Sequence, residues 1–97
     1  MSNATFHRLA SRELIDAARY YQAESPGLGA TFIDEVERCV RVALEYPRAA
    51  PVFRGKIRRK LTRAFPFGVL YRVTPNGIRV LAIMNLKRQP EYWVGRE

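Results

Sequence analysis

Residues 65–86 read FPFGVLYRVTPNGIRVLAIMNL, and this stretch decides the fold. From Phe67 to Val73, bulky apolar side chains fill every second position, which is the period of a strand with one buried face. The segment Thr74-Pro75-Asn76-Gly77 is a turn signal, and residues 78–86 form a second run rich in β-branched and aliphatic side chains. The two runs therefore predict an antiparallel β-hairpin.

Two amphipathic helices are predicted upstream of this hairpin. In the first, apolar residues recur at helical spacing from Leu14 to Tyr21. Ser11 is placed to cap its first turn, and Glu13 is placed to favour the helix dipole. The helix ends before Ser25-Pro26, because a residue that precedes proline is pushed out of the helical region.

The second helix begins at Ser25-Pro26 or slips to Gly29, and Pro47 ends it. Its charged side is predicted to carry the i,i+4 pairs Asp34–Arg38 and Glu37–Arg41. Its apolar stripe consists of Phe32, Val36, Cys39, Val40, Ala43 and Leu44. A short link between two such helices predicts an antiparallel helix hairpin whose apolar stripes need a cover.

The sheet supplies that cover. Residues 57–64 are predicted as a further strand, residues 5–9 as a short edge strand, and residues 46–56 as the loop between helices and sheet. The expected fold is α+β, a single domain over residues 1–97 in which the helix hairpin packs on a twisted, mainly antiparallel sheet of three to four strands. The other face of the sheet is expected to be concave and basic.

The positive charge is confined to one half of the chain. The net charge is +8, but residues 1–53 hold six Lys/Arg against seven Asp/Glu, whereas residues 54–97 hold eleven against two. Such a field attracts a polyanion or an acidic protein segment. Within it, six cations lie between positions 54 and 63 without one acid, which favours a binding role over a merely solvated strand.

Several classes of protein are not expected. One cysteine and one histidine provide no metal-ligand cluster, so neither a metal nor another cofactor is predicted. Cys39 falls in the apolar stripe and is interpreted as a small core residue, while His7 is interpreted as a surface side chain. No apolar run approaches the length of a membrane span, and a cytoplasmic location without a membrane partner is expected.

Several motifs in this order of elements resemble the RelE/ParE toxin superfamily. They are Tyr20-Tyr21 at the end of the first helix, Phe32, Pro47, Ile57-Arg58-Arg59 and the FPFGVLYRV segment at 65–73. The ending Arg88-x-Pro90-x-x-Trp93-x-x-Arg96 resembles that of ParE-like members. The resemblance covers nearly the whole chain.

The resemblance implies a toxin of a type II toxin-antitoxin system that a cognate antitoxin neutralises. ParE-like members of the superfamily inhibit DNA gyrase by binding, and this is the function expected here. The alternative is a RelE-like, ribosome-dependent endoribonuclease that cuts messenger RNA, and a further alternative is a degenerate member that only binds its antitoxin. Operator DNA would be contacted only through the antitoxin.

Two departures from the RelE pattern favour the ParE-like alternative. The arginine that RelE-type enzymes carry on the middle strand falls on Gly68, and their C-terminal tyrosine falls at Trp93 or Val94, beside Tyr92. A position where ParE-like members often have histidine holds Asn85. If the chain were a nuclease, the candidate catalytic residues would be Arg88, Arg63, Lys60 and Tyr92.

Candidate binding residues follow from the basic half and from the ParE-like ending. Trp93 has a second interpretation, since a lone tryptophan beside Pro90 and Tyr92 often packs onto its own sheet. The candidates are Arg54, Lys56, Arg58, Arg59, Lys60, Arg63, Arg72, Lys87, Arg88, Trp93 and Arg96.

Overall fold

The computed structural model describes residues 3–97. In this range the elements are β1 (Asn3–Phe6), α1 (Arg8–Glu24), α2 (Leu28–Glu45), β2 (Val52–Arg54), β3 (Ile57–Leu61), β4 (Phe67–Thr74) and β5 (Gly77–Asn85). The strands form one sheet in the order β1-β5-β4-β3-β2, in which only the β1–β5 pair is parallel. The predicted α+β fold is confirmed, with five strands among the described residues instead of three to four.

The predicted β-hairpin is the centre of this sheet. β4 and β5 pair in antiparallel register from Phe67–Asn85 to the turn at Thr74–Gly77. The register shifts between Leu70 and Tyr71, which is a β-bulge on the β5 side. Nearly all of β5 is buried, because α1 and α2 cover one face of it and the C-terminal segment covers part of the other.

The N-terminal prediction was wrong in detail, because the strand ends earlier and α1 begins earlier. The His7 backbone N–H donates to Val80 O at 2.8 Å, and the side-chain Nδ1 of His7 then accepts from the Leu9 N–H at 3.0 Å. His7 therefore caps α1 and satisfies one of its free N–H groups. Ser11, the predicted cap, lies inside the helix.

The two helices lie in close contact at Gly29. A Cβ atom there would lie 2.5 Å from the carbonyl oxygen of Ala18, so only glycine lets the helices meet at this point. α2 begins at Leu28 after Gly27, one residue from the later of the two predicted starts. Its predicted stripe is confirmed as core, with Phe32, Val36, Cys39 and Ala43 buried.

The predicted ion pairs of α2 do not form. Arg38 instead binds Glu35, from Nε at 2.8 Å and from Nη2 at 2.7 Å. Glu35 also accepts a hydrogen bond from the Arg63 backbone N–H, so it connects the helix to the end of β3. This second contact explains why the i,i+3 partner is preferred to Asp34, and Glu37 forms no ion pair with Arg41 in the described part of the chain.

The helix-facing side of the sheet carries an aromatic cluster. The ring of Tyr21 lies 4.8 Å from that of Phe65 and 5.2 Å from that of Phe32, and Phe32 lies 4.9 Å from Phe67. Tyr21 was predicted to belong to the core, and this is confirmed. Cys39 is fully buried nearby, and burial raises the pKa of its thiol, which opposes a nucleophilic role.

The edge strand β2 lies inside the segment that was predicted to be only a loop. It is three residues long, and the turn that joins it to β3 has Gly55 at a φ of 58°. Pro51 O accepts from the Arg59 N–H at 3.0 Å and extends the pairing by one bond. Neither helix described by the structure is long and apolar enough to span a bilayer.

Candidate functional site

The centre of the outer face of the sheet, which points away from the helices, is apolar. The bulge in β5 directs both Leu81 and Ala82 to this face, where they join Leu70 and Met84 in a buried cluster under Trp93. Trp93 is 4% exposed, and its Nε1 donates to Pro90 O at 2.6 Å. The packing of Trp93 onto its own sheet is confirmed, whereas the expectation of a basic face was wrong at its centre.

The basic residues at 54–63 are divided between the two faces of the sheet. Directly opposed residues on neighbouring strands share a face, and Arg58 and Lys60 oppose the helix-side residues Tyr71 and Val69. Arg59 points to the outer face, while three other cations are exposed at the ends of β2 and β3. These are Arg54, Lys56 and Arg63.

Arg58 supports the structure of the loop. Its Nη1 donates to Arg48 O at 2.9 Å and to Ala50 O at 2.7 Å. The guanidinium therefore fixes the segment between α2 and β2. Less of its hydrogen-bonding capacity remains for a partner than the sequence suggests.

The side chain of Arg59 lies across Gly68, the position at which RelE-type enzymes carry an arginine. A Cβ atom on Gly68 would lie 2.9 Å from Cγ and 3.0 Å from Cδ of Arg59. The guanidinium carbon of Arg59 lies 4.4 Å from the centre of the Phe53 ring. Aromatic stacking therefore positions one cation on the outer face, although it comes from β3 and not from β4.

A second group of cations is held by the ring of Tyr92. The guanidinium carbon of Arg88 lies 4.1 Å from the ring centre, and that of Arg96 lies 5.0 Å from it. The Tyr92 hydroxyl is buried. Burial raises the pKa of Tyr92 most, and the nearby Glu13 carboxylate raises it further. Arg88 and Tyr92 line a hollow of about 330 Å³ between α1 and the end of β5.

The remaining C-terminal cations differ in whether other residues of the chain hold their side chains. Arg96 is held by Glu13 at 2.9 Å, while Arg72 and Arg79 each donate to Glu97 O at 3.2 Å. Lys87 and Arg88 are exposed on the turn that follows β5. Among residues 3–97 no group of three or more His, Cys, Asp or Glu side chains is arranged to hold a metal ion.

Residues 4–90 match the family model described as the ParE toxin of the type II toxin-antitoxin system parDE. The chain belongs to the ParE toxin family. Its role is therefore that of a type II toxin, which confirms the predicted superfamily and its ParE-like branch.

The fold of this ParE-family toxin is also found in a solved structure. A chain of the "Chromosomal ParDE TA system from P. aeruginosa" is similar to it with a TM-score of 0.76 and 18% sequence identity. The match covers 90% of this chain and 98% of that one. At this identity the likeness concerns the fold. A search of curated proteins gives no match.

In this ParE-family chain the predicted site residues do not form one continuous surface. Arg59 marks the outer face, Lys60 borders a groove beside α2, and Arg88 lies at the far end of β5. Arg63 contacts Glu35 through its backbone and does not fill the space over Gly68. The Gly68 position is instead covered by Arg59, which sequence reasoning did not assign to it.

Sequence reasoning missed an exposed apolar group beside Lys60. Tyr46 is 59% exposed, Val52 is 55% exposed and Leu61 is 49% exposed, and all three line one groove. The one available signal was weak. Leu61 shares strand parity with the apolar Ile57 and the charged Arg59, so alternation alone did not say whether this side of β3 is buried or exposed.

Proposed function

We propose that this toxin arrests growth by binding DNA gyrase, and that binding by its basic surface, not catalysis, produces the effect. The contact of Arg88 with Tyr92 carries this proposal. The tyrosine ring supports the guanidinium of Arg88 at 4.1 Å while its own hydroxyl is buried. Such an arginine is suited to recognise an acidic partner, since part of its conformational freedom is already lost before binding.

The chemistry of the nuclease alternative requires a different arrangement. Cleavage of RNA needs a base that can lose its proton near neutral pH. The pKa of Tyr92 is raised, so its hydroxyl stays protonated at neutral pH, and its burial separates it from a substrate. His7 caps α1, and its Nδ1 already accepts a hydrogen bond from the Leu9 N–H at 3.0 Å. These contacts favour binding over acid-base catalysis.

One observation favours the nuclease alternative. The aliphatic part of the Arg59 side chain crosses Gly68, where RelE-type enzymes carry an arginine, and its guanidinium lies over the neighbouring Phe53 ring. A positioned cation there could stabilise a developing phosphorane. The ribosome-dependent endoribonuclease is therefore retained as the second candidate. A degenerate family member that only binds its antitoxin would cause no growth arrest.

Tyr92→Phe and Arg88→Ala separate binding from catalysis. Phenylalanine keeps the ring that supports Arg88 and removes only the hydroxyl, so Tyr92→Phe should keep full toxicity. Arg88→Ala should raise the toxin level needed for growth arrest about tenfold, the loss of a contact worth about 1.4 kcal/mol. Arg41→Ala, an exposed arginine on α2, is the matched control and should have no effect. Loss of toxicity in Tyr92→Phe would instead support the nuclease.

We also propose that a cognate antitoxin neutralises the toxin through a segment in which Asp and Glu alternate with apolar anchors. The net charge of +8 should accelerate its association. The association rate should fall as ionic strength rises, because salt screens exposed charges beyond about 10 Å at 0.1 M. A rate that stays constant between low and high salt would show that the basic half does not guide docking. Operator DNA would then be contacted by the antitoxin of the complex.

A further inference from the structure

Two arginines oppose each other on the outer face of the sheet, close to the β4–β5 turn. Arg72 and Arg79 are direct partners in the antiparallel register, and the residues that flank each of them belong to the helix-side core. Arg72 Nη2 and Arg79 Nε both donate to the main-chain oxygen of Glu97, each at 3.2 Å. Like charges at opposed positions repel each other, yet these two guanidinium groups converge on one oxygen atom.

A hollow of about 550 Å³ lies at the same end of the sheet, between the β2–β3 turn and the β4–β5 turn. Arg48, Lys56 and Arg58 line it, and none of the described residues in its lining is acidic. Arg58 contributes mainly charge, because its Nη1 already donates to two carbonyl oxygens of the preceding loop. The hollow is therefore a concave surface of positive potential.

The region that contains the hollow and the Arg72–Arg79 pair is called the turn end of the sheet. In the part of the chain that the structure describes, none of its cations forms an ion pair with an acidic side chain. Cations that lack such partners repel one another, and a bound polyanion relieves this repulsion. The cations of the turn end are Arg48, Arg54, Lys56, Arg58, Arg72 and Arg79.

The side chains of the turn end suit the phosphates of a nucleic acid duplex. Guanidinium, ammonium and threonine hydroxyl groups are usual phosphate ligands, and Thr74 lies in the lining of the hollow. Single strands are instead bound by stacking their bases on aromatic rings, and no described residue of this lining is aromatic. A duplex, whose bases are already stacked, is therefore favoured over a single strand.

An acidic protein segment fits the turn end less well than a duplex. Such segments combine carboxylates with apolar anchors that fill pockets on the partner. Among the described residues that line the hollow, Val52 alone is a large apolar side chain with more than half of its surface exposed. The lining therefore offers many charges but little apolar surface for anchors.

The turn end lies away from the surface proposed above for gyrase. Arg88 follows the opposite end of β5, and the nine residues of this strand separate the two regions by about 25 Å. A toxin that contacts gyrase through Arg88 therefore leaves the turn end free for a second partner.

We propose that the turn end of the sheet binds the phosphate backbone of double-stranded DNA without regard to its sequence. This inference rests on the proposed function and extends it, because duplex DNA is the substrate of gyrase. The toxin then contacts the enzyme at one end and the DNA at the other. Arg72 and Arg79 exchange the Glu97 oxygen for phosphate oxygens, and phosphate contacts by themselves carry no sequence information.

Two double variants alter separate parts of the turn end. Arg72→Ala/Arg79→Ala removes the opposed pair, and Arg54→Ala/Lys56→Ala removes two exposed cations beside the β2–β3 turn. Circular dichroism and thermal unfolding establish that each variant is folded. If loss of the Glu97 contacts unfolds the first variant, the second still tests the surface, because its side chains form no contact within the described chain that holds the fold.

The matched control is Arg19→Ala/Arg41→Ala, which removes the same charge from exposed positions on the two helices. Binding is measured with purified toxin and without gyrase, from the fluorescence anisotropy of a short labelled duplex of arbitrary sequence. The titrations are repeated between about 50 and 200 mM salt, a range in which phosphate contacts weaken strongly.

The native toxin should bind the duplex with an affinity that falls as salt rises. Each turn-end variant should lose at least about tenfold in affinity at the lowest salt. Its slope of log affinity against log salt should be shallower by about 1.8, the value for two lost phosphate contacts. The control should change by less than about threefold and keep the native slope. No binding by the native toxin at low salt, or equal losses in the control, would overturn the proposal.

Other partners of the turn end give different results in the same assay. Tighter binding of an RNA of equal length, lost in the turn-end variants, would assign the surface to RNA and overturn the proposal. Displacement of the duplex by polyglutamate at an equal concentration of negative charge would assign it to an acidic protein. Inhibition of gyrase by a toxin that binds no DNA would refute this inference alone, whereas DNA binding without inhibition of gyrase would refute the proposed function alone.

Discussion

Glu13 and Arg96 form an ion pair at 2.9 Å although 83 positions separate them in the chain. Both also bind the edge of β5 beyond Val80, where pairing with β1 ends. Glu13 accepts from the Ile83 N–H at 3.0 Å, and Arg96 donates to Leu81 O at 3.0 Å. The pair therefore forms the hydrogen bonds that a neighbouring strand would otherwise make with this part of β5, and it connects α1 to the C-terminal segment.

Loss of either partner should destabilise the fold. The side chains of Arg96 and Glu13 are only 12% and 17% exposed, so removal of one leaves the other charge poorly solvated. Arg96→Ala should lower the free energy of unfolding by about 2 to 4 kcal/mol in urea denaturation. The exposed pair Arg12–Asp16 is the control, and Arg12→Ala should cost less than about 0.5 kcal/mol. Equal costs for Arg96→Ala and Arg12→Ala would contradict a structural role of the C-terminal pair.

The stability should also depend on pH through Glu35. Hydrogen bonds from Arg38, with a further one from the Arg63 N–H, lower the pKa of Glu35 to about 2. Because the folded pKa lies below the unfolded value, this contribution is complete above about pH 5 and is lost as the pH falls toward 2. Glu35→Gln should therefore be less stable than the native chain at pH 7, by at most about 3 kcal/mol.

The difference between Glu35→Gln and the native chain should shrink as the pH is lowered. Urea unfolding at intervals between pH 7 and pH 2 measures it. Asp34→Gln changes the neighbouring exposed carboxylate and should leave the pH profile of the native chain in place. A difference that stays constant over this range would mean that the hydrogen bonds to Glu35 do not depend on its charge.

The contact between Gly68 and Arg59 predicts coupled substitutions. Gly68→Ala places a methyl group against the middle of the Arg59 side chain, at 2.9 and 3.0 Å, and should destabilise by about 1 to 3 kcal/mol. Removing the obstructing atoms in Gly68→Ala/Arg59→Ala should recover much of that loss. A double-mutant cycle from urea unfolding measures the coupling, which should be close to zero if Arg59 does not lie over Gly68.

Truncation in the α2 stripe should differ from truncation on its exposed side. Val36 is 1% exposed, and Val36→Ala should cost about 1 to 3 kcal/mol, whereas Arg41→Ala should cost less than about 0.5. Arg38 does not serve as the exposed control, because its guanidinium binds Glu35. Denaturant unfolding in which Val36→Ala and Arg41→Ala are equally unstable would show that the helical register is wrong.

The parts of the fold that could be predicted from sequence are those governed by local periodicity. The alternation in residues 67–73 and the stripe from Phe32 to Ala43 each reflect which side of a single element is buried. The hairpin followed from these runs and from the turn signal at Thr74–Gly77. The strand β2 escaped detection, because three residues are too few to show a period.

The candidate site could be predicted less completely, because its contacts depend on three-dimensional register. Nothing in the local sequence indicates that Arg59 crosses Gly68, since this follows from the offset of β3 against β4. The same holds for Glu13 and Arg96, and for His7, which displaced Ser11 as the cap through its contact with β5. The positions of the cations in the sequence therefore showed which half of the chain is basic, but not which cations lie together on the folded surface.

The central claim is that the toxin acts by binding gyrase through the surface that includes Arg88. Its most direct test is a supercoiling assay with purified gyrase and relaxed plasmid DNA, using the native toxin, Tyr92→Phe and Arg88→Ala. The native toxin and Tyr92→Phe should inhibit supercoiling equally, and Arg88→Ala should need about tenfold more protein for the same inhibition. Unimpaired supercoiling at every toxin concentration, together with ribosome-dependent cleavage of messenger RNA that Tyr92→Phe abolishes, would contradict the claim.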